Sequence, residues 1–305
     1  MIGIFQDSIL VIEDSGMIVD CHTHIDFSAD DVGVSEHLAS AETVDVCFVL
    51  GRGKEGSDKV NKKLSEYVQR HKSKMVGFAF VDPANDKVSP ANLRPLKDKL
   101  GLEGAVVYCA ASGVHPTHSR AMRFYESAVE LEMPVFFHNW EAVSSREAIL
   151  EYAQPYLLDE VARTFPDLKM IVGGMGAPFV DQTFALVAKH KNVYADLTVR
   201  PSSVWQVFNT VVAANEHGVM DKLLFGSGFP LGNAGQCIET LLGFNMLFAD
   251  TNLPTVPRDR IRTIVEREAL KLLGIGRSVN EAAQNIESVA PDSADEIEEP
   301  ELAEN

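Results

Sequence analysis

The chain is poor in several features that would have assigned it quickly. Its four cysteines, Cys21, Cys47, Cys109 and Cys237, are far apart and form no C-x-x-C pair, so they read as reduced thiols and not as a disulfide framework. No apolar run approaches the ~20 residues that a membrane helix needs. The first sixteen residues, MIGIFQDSILVIEDSG, lack a basic stretch and are broken by Asp and Glu, unlike a secretory leader. Positive charge is also scarce. With 27 Lys and Arg against 44 Asp and Glu, the net charge is −17, which repels nucleic acid and anionic membranes alike. Residues 278–305 contain nine acids and no Lys or Arg, so the rest of the chain carries a net −8. That segment has little to bury and reads as a disordered, solvating acidic tail. No internal repeat is visible. The expectation is a soluble, cytoplasmic protein with no nucleic-acid or membrane partner.

What is present is a rhythm. A hydrophobic content of 46% supports a sizeable core. Short apolar runs alternate eight times with longer amphipathic ones. The strand candidates are 17–24, 44–50, 75–82, 104–109, 134–139, 169–174, 193–197 and 222–228. Each is too short and too uniformly apolar for a half-exposed strand, and suits a parallel strand covered on both faces. Between them lie helical patterns such as 58–72, 118–132 and 157–165, often punctuated by proline at the join. Eight strand–helix units in about 260 residues match the size of a closed (β/α)8 TIM barrel, with a doubly wound open sheet as the alternative. The domain reading is an N-terminal extension over 1–16, the barrel over 17–276 and the acidic tail over 277–305.

Chemistry enters with VDCHTHI over 19–25, an apolar run closing on His22 and His24. Side chains two apart on a strand share a face. His138 ends the fifth strand candidate, and strands one and five oppose each other across an eight-stranded barrel. The active sites of such barrels lie at the C-terminal ends of the strands, so three histidines converge on one mouth. Alternation turns Cys21, next to His22, towards the helices as a small buried hydrophobe.

In order along the chain, VDCHTHI, PVFFHN, PDLKMIVGGMGAP, KNVYADL, KLLFGSGFP and REALKLLGI resemble the amidohydrolase superfamily. The resemblance is to its amidohydrolase-related branch, which includes aminocarboxymuconate-semialdehyde decarboxylase and small lactone hydrolases, and it covers residues 17–276. It implies one divalent metal, zinc by preference, held by His22, His24 and His138. It also implies a small-molecule substrate and, since members are often dimers, a homodimer. Two family positions are missing. Gly174 stands where the family has a strand-six histidine, and Gly228 stands where FGSDFP has its aspartate. Three histidines and a water still make a catalytic zinc site, but the base must come from elsewhere. Asp196, near the end of strand seven, ranks first, with a carboxylate bonded to its own surroundings as the bland reading. Glu141, Asp26, His115 and His118 follow. Arg52, at the end of strand two, is the candidate partner of a substrate carboxylate.

The leading expectation is a divergent metal-dependent hydrolase acting on a lactone, ester or amide. A decarboxylase of the same family and a catalytically silent barrel that binds a metabolite or protein partner are the alternatives. GRGKEG over 51–56 spells G-x-G-x-x-G, but its helical pattern starts after the last glycine and Asp82 lies 26 residues beyond it, which disfavours a dinucleotide site. His37, His71, His190 and His217 read as surface or satisfied core groups.

Overall fold

The computed structural model describes residues 16–27, 32–53, 55–139, 143–247 and 251–276. Eight parallel strands run in sequential order: β1 (Val19–Thr23), β2 (Val46–Leu50), β3 (Met75–Phe80), β4 (Leu102–Val107), β5 (Val135–Phe137), β6 (Met170–Val172), β7 (Val193–Asp196) and β8 (Leu223–Leu224). Closure comes from the chain after β8. Cys21 N–H donates to Phe225 O, Gly228 N–H to His22 O and His24 N–H to Phe229 O, each at 2.9 Å. The result is a TIM barrel. A sheet with consecutive strand order and no reversal leaves no switch point for a dinucleotide at GRGKEG.

Helices cover the outside: α1 (Val32–Ala41), α2 (Ser57–Arg70), α3 (Pro90–Asp98), α4 (Cys109–Ser112), α5 (Ser119–Glu130), α6 (Leu158–Thr164), α7 (Val180–Lys189), α8 (Val204–Glu216), α9 (Ala234–Leu247), α10 (Arg258–Val265) and α11 (Ala269–Leu273). Their buried residues follow helical spacing. In α2 Val60, Leu64, Tyr67 and Val68 face the sheet, and in α5 Ala121, Phe124, Tyr125 and Ala128 do so. Each strand is buried on both faces, which is why the sequence shows continuous apolar runs and no alternation.

Two cores result. Outside the strands, residues such as Cys47, Val107 and Phe137 pack against the helices. Inside, Phe48, Phe78 and Phe136 fill the barrel, with ring centroids 4.9 Å apart for the first pair and 6.5 Å for the second. Burying each such ring contributes about 1.5–3 kcal/mol. Ala269, Leu270 and Leu273 of α11 join the inner core.

One expectation needs correcting. Cys21 packs inside the barrel with Phe48 and Phe78, not against the helices. The β1–β2 register shifts between Asp20 and Thr23, and this bulge breaks strict alternation. His22 and His24 still face inward, while Thr23 between them turns out towards α1. Its hydroxyl donates to Phe48 O at 2.6 Å and accepts from His37 Nε2 at 2.9 Å. His37 Nδ1 in turn meets Tyr67 Oη at 2.7 Å, so His37 is a satisfied core group that pins the end of β1.

Candidate metal centre at the barrel mouth

His22 and His24 close β1, and His138 follows β5 with its own N–H donated to Val107 O at 2.9 Å. All three are buried. Their ring nitrogens converge: His22 Nε2 lies 3.2 Å from His24 Nε2, which lies 3.1 Å from His138 Nε2. Among the described residues these three form the one group of ligating side chains close enough to hold a metal ion.

The far nitrogens decide the tautomers. His24 Nδ1 is 3.2 Å from Leu50 O, a carbonyl that only accepts, so Nδ1 carries the proton and Nε2 is bare. His22 Nδ1 is 2.6 Å from Asp196 Oδ2 and 3.0 Å from Thr198 Oγ1, so it donates to the carboxylate. The Nε2 atoms of His22 and His24 stand 3.2 Å apart and face one point, where neutral rings present lone pairs that a shared cation can join. Imidazole nitrogens 2.0–2.1 Å from a tetrahedral zinc stand about 3.3 Å apart, close to the spacing seen. The residues fit a metal ion. His24 is held well below its ordinary value of 6.5, first by burial and then by the charges of His138, His22 and Arg52, which keeps it neutral as a ligand must be.

Asp196 sits behind His22, on the side away from the converging nitrogens. Its Oδ2 accepts from His22 Nδ1, from the Thr198 hydroxyl at 2.6 Å and from Gly174 N–H at 2.8 Å, while Oδ1 accepts from Thr198 N–H at 2.9 Å. Burial works to raise this carboxyl, but the His22 charge and ring N–H, Thr198 and Gly174 together outweigh it and hold it below the ordinary 3.8. A carboxylate–imidazole pair of this kind orients a metal ligand and raises its basicity.

Thr198 was not legible as a site residue, because TVR after KNVYADL carries no motif. Its φ of +43° is unusual for a β-branched residue and persists here because Asp196 and His22 hold both its hydroxyl and its N–H. It also explains one of the two missing ligands. A Cβ on Gly228, whose φ is +65°, would lie 2.7 Å from the Thr198 methyl group. Thr198 therefore occupies the space next to residue 228. Gly174, with φ +54°, differs: a Cβ there would have Thr198 Oγ1 as its nearest neighbour at 3.6 Å, so the space beside it is open.

The remaining candidates fall in different places. His24, Asp26, Arg52 and Lys63 line one cavity of ≈ 590 Å³, open to the outside through the loops after β1 and β2. His22, His138, Asn139 and Gly174 line a recess of ≈ 10 Å³, about the size of one water. His115 and His118 are occupied locally, with Thr117 N–H and Arg120 N–H donating to their Nδ1 atoms, and neither joins the cluster. Glu141 lies outside the described residues, as do residues 1–15 and the acidic segment from 277 onward. No helix among the described residues is long and apolar enough to cross a membrane.

A family model described as Amidohydrolase matches residues 19–274. The chain belongs to the amidohydrolase family. No curated protein matches its sequence. Among solved structures this amidohydrolase is similar to a probable 2-pyrone-4,6-dicarboxylic acid hydrolase from Acinetobacter baumannii with citric acid bound, at a TM-score of 0.58 and 14% identity, covering 85% of this chain and 99% of that one. It is also similar to 5-carboxyvanillate decarboxylase from Sphingomonas paucimobilis, at a TM-score of 0.60 and 12% identity, covering 86% and 100%. A third, the 5-carboxyvanillate decarboxylase of Novosphingobium aromaticivorans, was solved with bound manganese, at a TM-score of 0.59 and 12% identity, covering 85% and 97%. At such identities the likeness is one of fold.

Proposed function

We propose that this amidohydrolase hydrolyses a small carbonyl compound bearing a carboxylate, such as a lactone, ester or amide, at a divalent metal held by His22, His24 and His138. The observation that carries the reading is the convergence of three buried Nε2 atoms, those of His22 and His24 3.2 Å apart with that of His138 3.1 Å from His24. Zinc is the metal of choice for three imidazoles, although the manganese in one neighbour keeps other ions in play. A metal at this point supplies Lewis acidity to a carbonyl oxygen and to a water, which lessens the need for a strong base.

The chain's own groups do the rest. Asp196 and Thr198 fix the His22 ring and its tautomer. Leu50 O does the same for His24. Arg52 lines the cavity into which His24 faces and is the proposed partner of the substrate carboxylate. Asp196 accepts from His22, the Thr198 hydroxyl and Gly174 N–H at Oδ2 and from Thr198 N–H at Oδ1, so its contribution is to hold the ring. The proposed base is Glu141, three residues past His138 in HNWE, with Asp26 in the His24 cavity as the alternative.

Decarboxylation is the second reading, supported by the pairing of Arg52 with His24 in one cavity, which would seat a carboxylate beside the metal. Two measurements test the proposal. Metal content of untagged protein, by plasma mass spectrometry, should be about one ion per chain and fall in the His22→Ala, His24→Ala double variant. Lactones and aryl amides should then be turned over without CO2, whereas CO2 release from hydroxybenzoates would favour the second reading. A protein that takes up no metal even after incubation with zinc would overturn both and leave a binding barrel.

A further inference from the structure

One cavity that the histidines do not touch is larger than either of those that they line. It measures ≈ 630 Å³ and lies between α7 and α8, behind the loops that follow β6 and β7. Its lining is more apolar than polar, with Met175, Phe184, Leu197 and Val207 buried beneath it and Ser203, Gln206, Asn209 and Thr210 adding polar groups. One cation, Arg200, reaches it from the β7 loop and is half-buried there, and burial draws its guanidinium below its ordinary value. Among the described residues of the lining, the carboxylate is that of Asp181, exposed in the first turn of α7. A mainly apolar cavity of this size with a few polar groups at defined points is the usual form of a small-molecule site.

Its position relative to the metal centre is specific. Gly174 and Ala177 line this cavity and also the small recess that His22 and His138 face. Thr198, whose hydroxyl holds His22 and Asp196, lines the larger cavity as well. With no side chain at 174, and with the nearest atom to a Cβ there 3.6 Å away, the wall between the two spaces is thin at that residue. A polar side chain at 174 would separate them.

We propose that the α7–α8 cavity binds the apolar body of an organic acid, with its carboxylate at Arg200 and its other end at Gly174, facing His22 and His138. The occupant is a molecule with a rigid or extended hydrocarbon part, such as a fused aromatic ring system, and an anionic terminus. The charge is assigned by Arg200, and the hydrocarbon part by the four buried apolar side chains beneath it. This inference rests on the proposed metal centre only for what would happen at the Gly174 end. Binding in the cavity stands apart from it.

The test is calorimetric titration of the full chain, as purified, with 2-naphthoate as the probe. 2-Naphthylmethanol and 2-naphthylmethylammonium serve as neutral and cationic controls with the same body. Saturable one-to-one binding of the acid is expected, at least tenfold tighter than the alcohol, with no binding of the amine. Arg200→Gln should weaken the acid by about tenfold or more, as loss of a charge-assisted contact does, and bring it level with the alcohol. Ala213→Phe, which fills the cavity from α8, should weaken acid and alcohol together. Arg200→Gln removes the charge without filling the cavity, so the inference stays testable if the bulkier variant fails to fold. No saturation, equal affinity for acid and alcohol, or wild-type affinity in Arg200→Gln would overturn it. Protein that binds 2-naphthoate but contains no metal keeps this inference and overturns the preceding one. Protein with metal but no saturable binding does the reverse.

Discussion

Replacing Asp196 by asparagine removes one charge and exchanges one oxygen for an NH2 group behind His22. In the native site three donors meet Oδ2, namely His22 Nδ1, the Thr198 hydroxyl and Gly174 N–H, and a fourth, Thr198 N–H, meets Oδ1. An amide has one acceptor oxygen. Facing that oxygen to the three donors sets the NH2 against Thr198 N–H. Turning it over sets the NH2 against all three. Either way at least one buried donor is unsatisfied, which costs about 1–3 kcal/mol of stability. The His22 tautomer loses its charged partner, and loss of such a partner typically weakens metal affinity about 10–100-fold. The expected result for Asp196→Asn is therefore both a lower urea midpoint for metal-free protein and a zinc Kd raised about 10–100-fold, measured by competition with a chromophoric chelator. Above the ordinary carboxyl value of 3.8 the native charge is present, and its contribution is lost as pH falls through the depressed folded value. The stability difference between wild type and variant should therefore shrink only in that acidic range. A zinc affinity within twofold of wild type, with the stability loss intact, would refute the claim that Asp196 acts on the metal through His22.

Gly228→Asp alone should destabilise the protein by about 1–3 kcal/mol, from its left-handed backbone and the Thr198 methyl at 2.7 Å, with no gain in metal affinity. Combined with Thr198→Gly it should recover stability and bind zinc more tightly than Thr198→Gly alone, read by the same chelator competition; equal affinities would show that residue 228 does not face the metal. Metal-free protein should lose stability as pH falls below 6.5. Burial lowers His37 to about 4, which costs about 1.4 kcal/mol per pH unit below 6.5, and Asp20, pushed up to about 6 by burial, offsets about as much per unit between pH 6 and its ordinary 3.8. His24, held well below 6.5, adds a further loss on the acid side, so stability falls on balance; urea denaturation across this range measures it, and a flat profile would refute it. Tyr67→Phe removes the donor to His37 Nδ1 and should cost about 1–3 kcal/mol by the same denaturation assay. Phe136→Ala, in the inner core beneath His22, should cost about 3–5 kcal/mol.

The barrel was legible because its signal is local and repeated. Parallel strands buried on both faces must read as short apolar runs, and all eight observed strands overlap their expected windows. The windows ran past the observed ends of β5, β6 and β8, and for one reason. The residues just beyond, His138, Gly173 with Gly174, and Phe225 to Phe229, leave the ladder to build the mouth and the closure. His22, His24 and His138 were legible because strand ends and barrel symmetry are enough to bring them together. The position of Asp196 near them was legible, but its partner was not, since nothing in KNVYADL says which side of His22 the carboxylate reaches. Thr198 was invisible for a different reason: its role depends on a strained φ, which no residue type announces. Cys21 was misplaced because the β1 bulge is a property of pairing with β2 and not of VDCHTHI itself.

The two absent ligands turn out to be physically different events. At 228 the neighbour has moved into the gap: the Thr198 methyl lies where a side chain would begin, and the Thr198 hydroxyl and N–H bind the carboxylate of Asp196. The negative charge that a strand-eight aspartate would place on a metal here would instead come from strand seven, one imidazole further out. Three neutral ligands leave the charge of a divalent ion undiminished in its immediate surroundings, which favours an anionic or strongly polarised substrate group over a neutral one. At 174 nothing has moved in. The position keeps open space, a left-handed backbone and a boundary shared by the histidine recess and the α7–α8 cavity. On the proposed metal centre, the first change bears on how the ion would be tuned and the second on what would reach it.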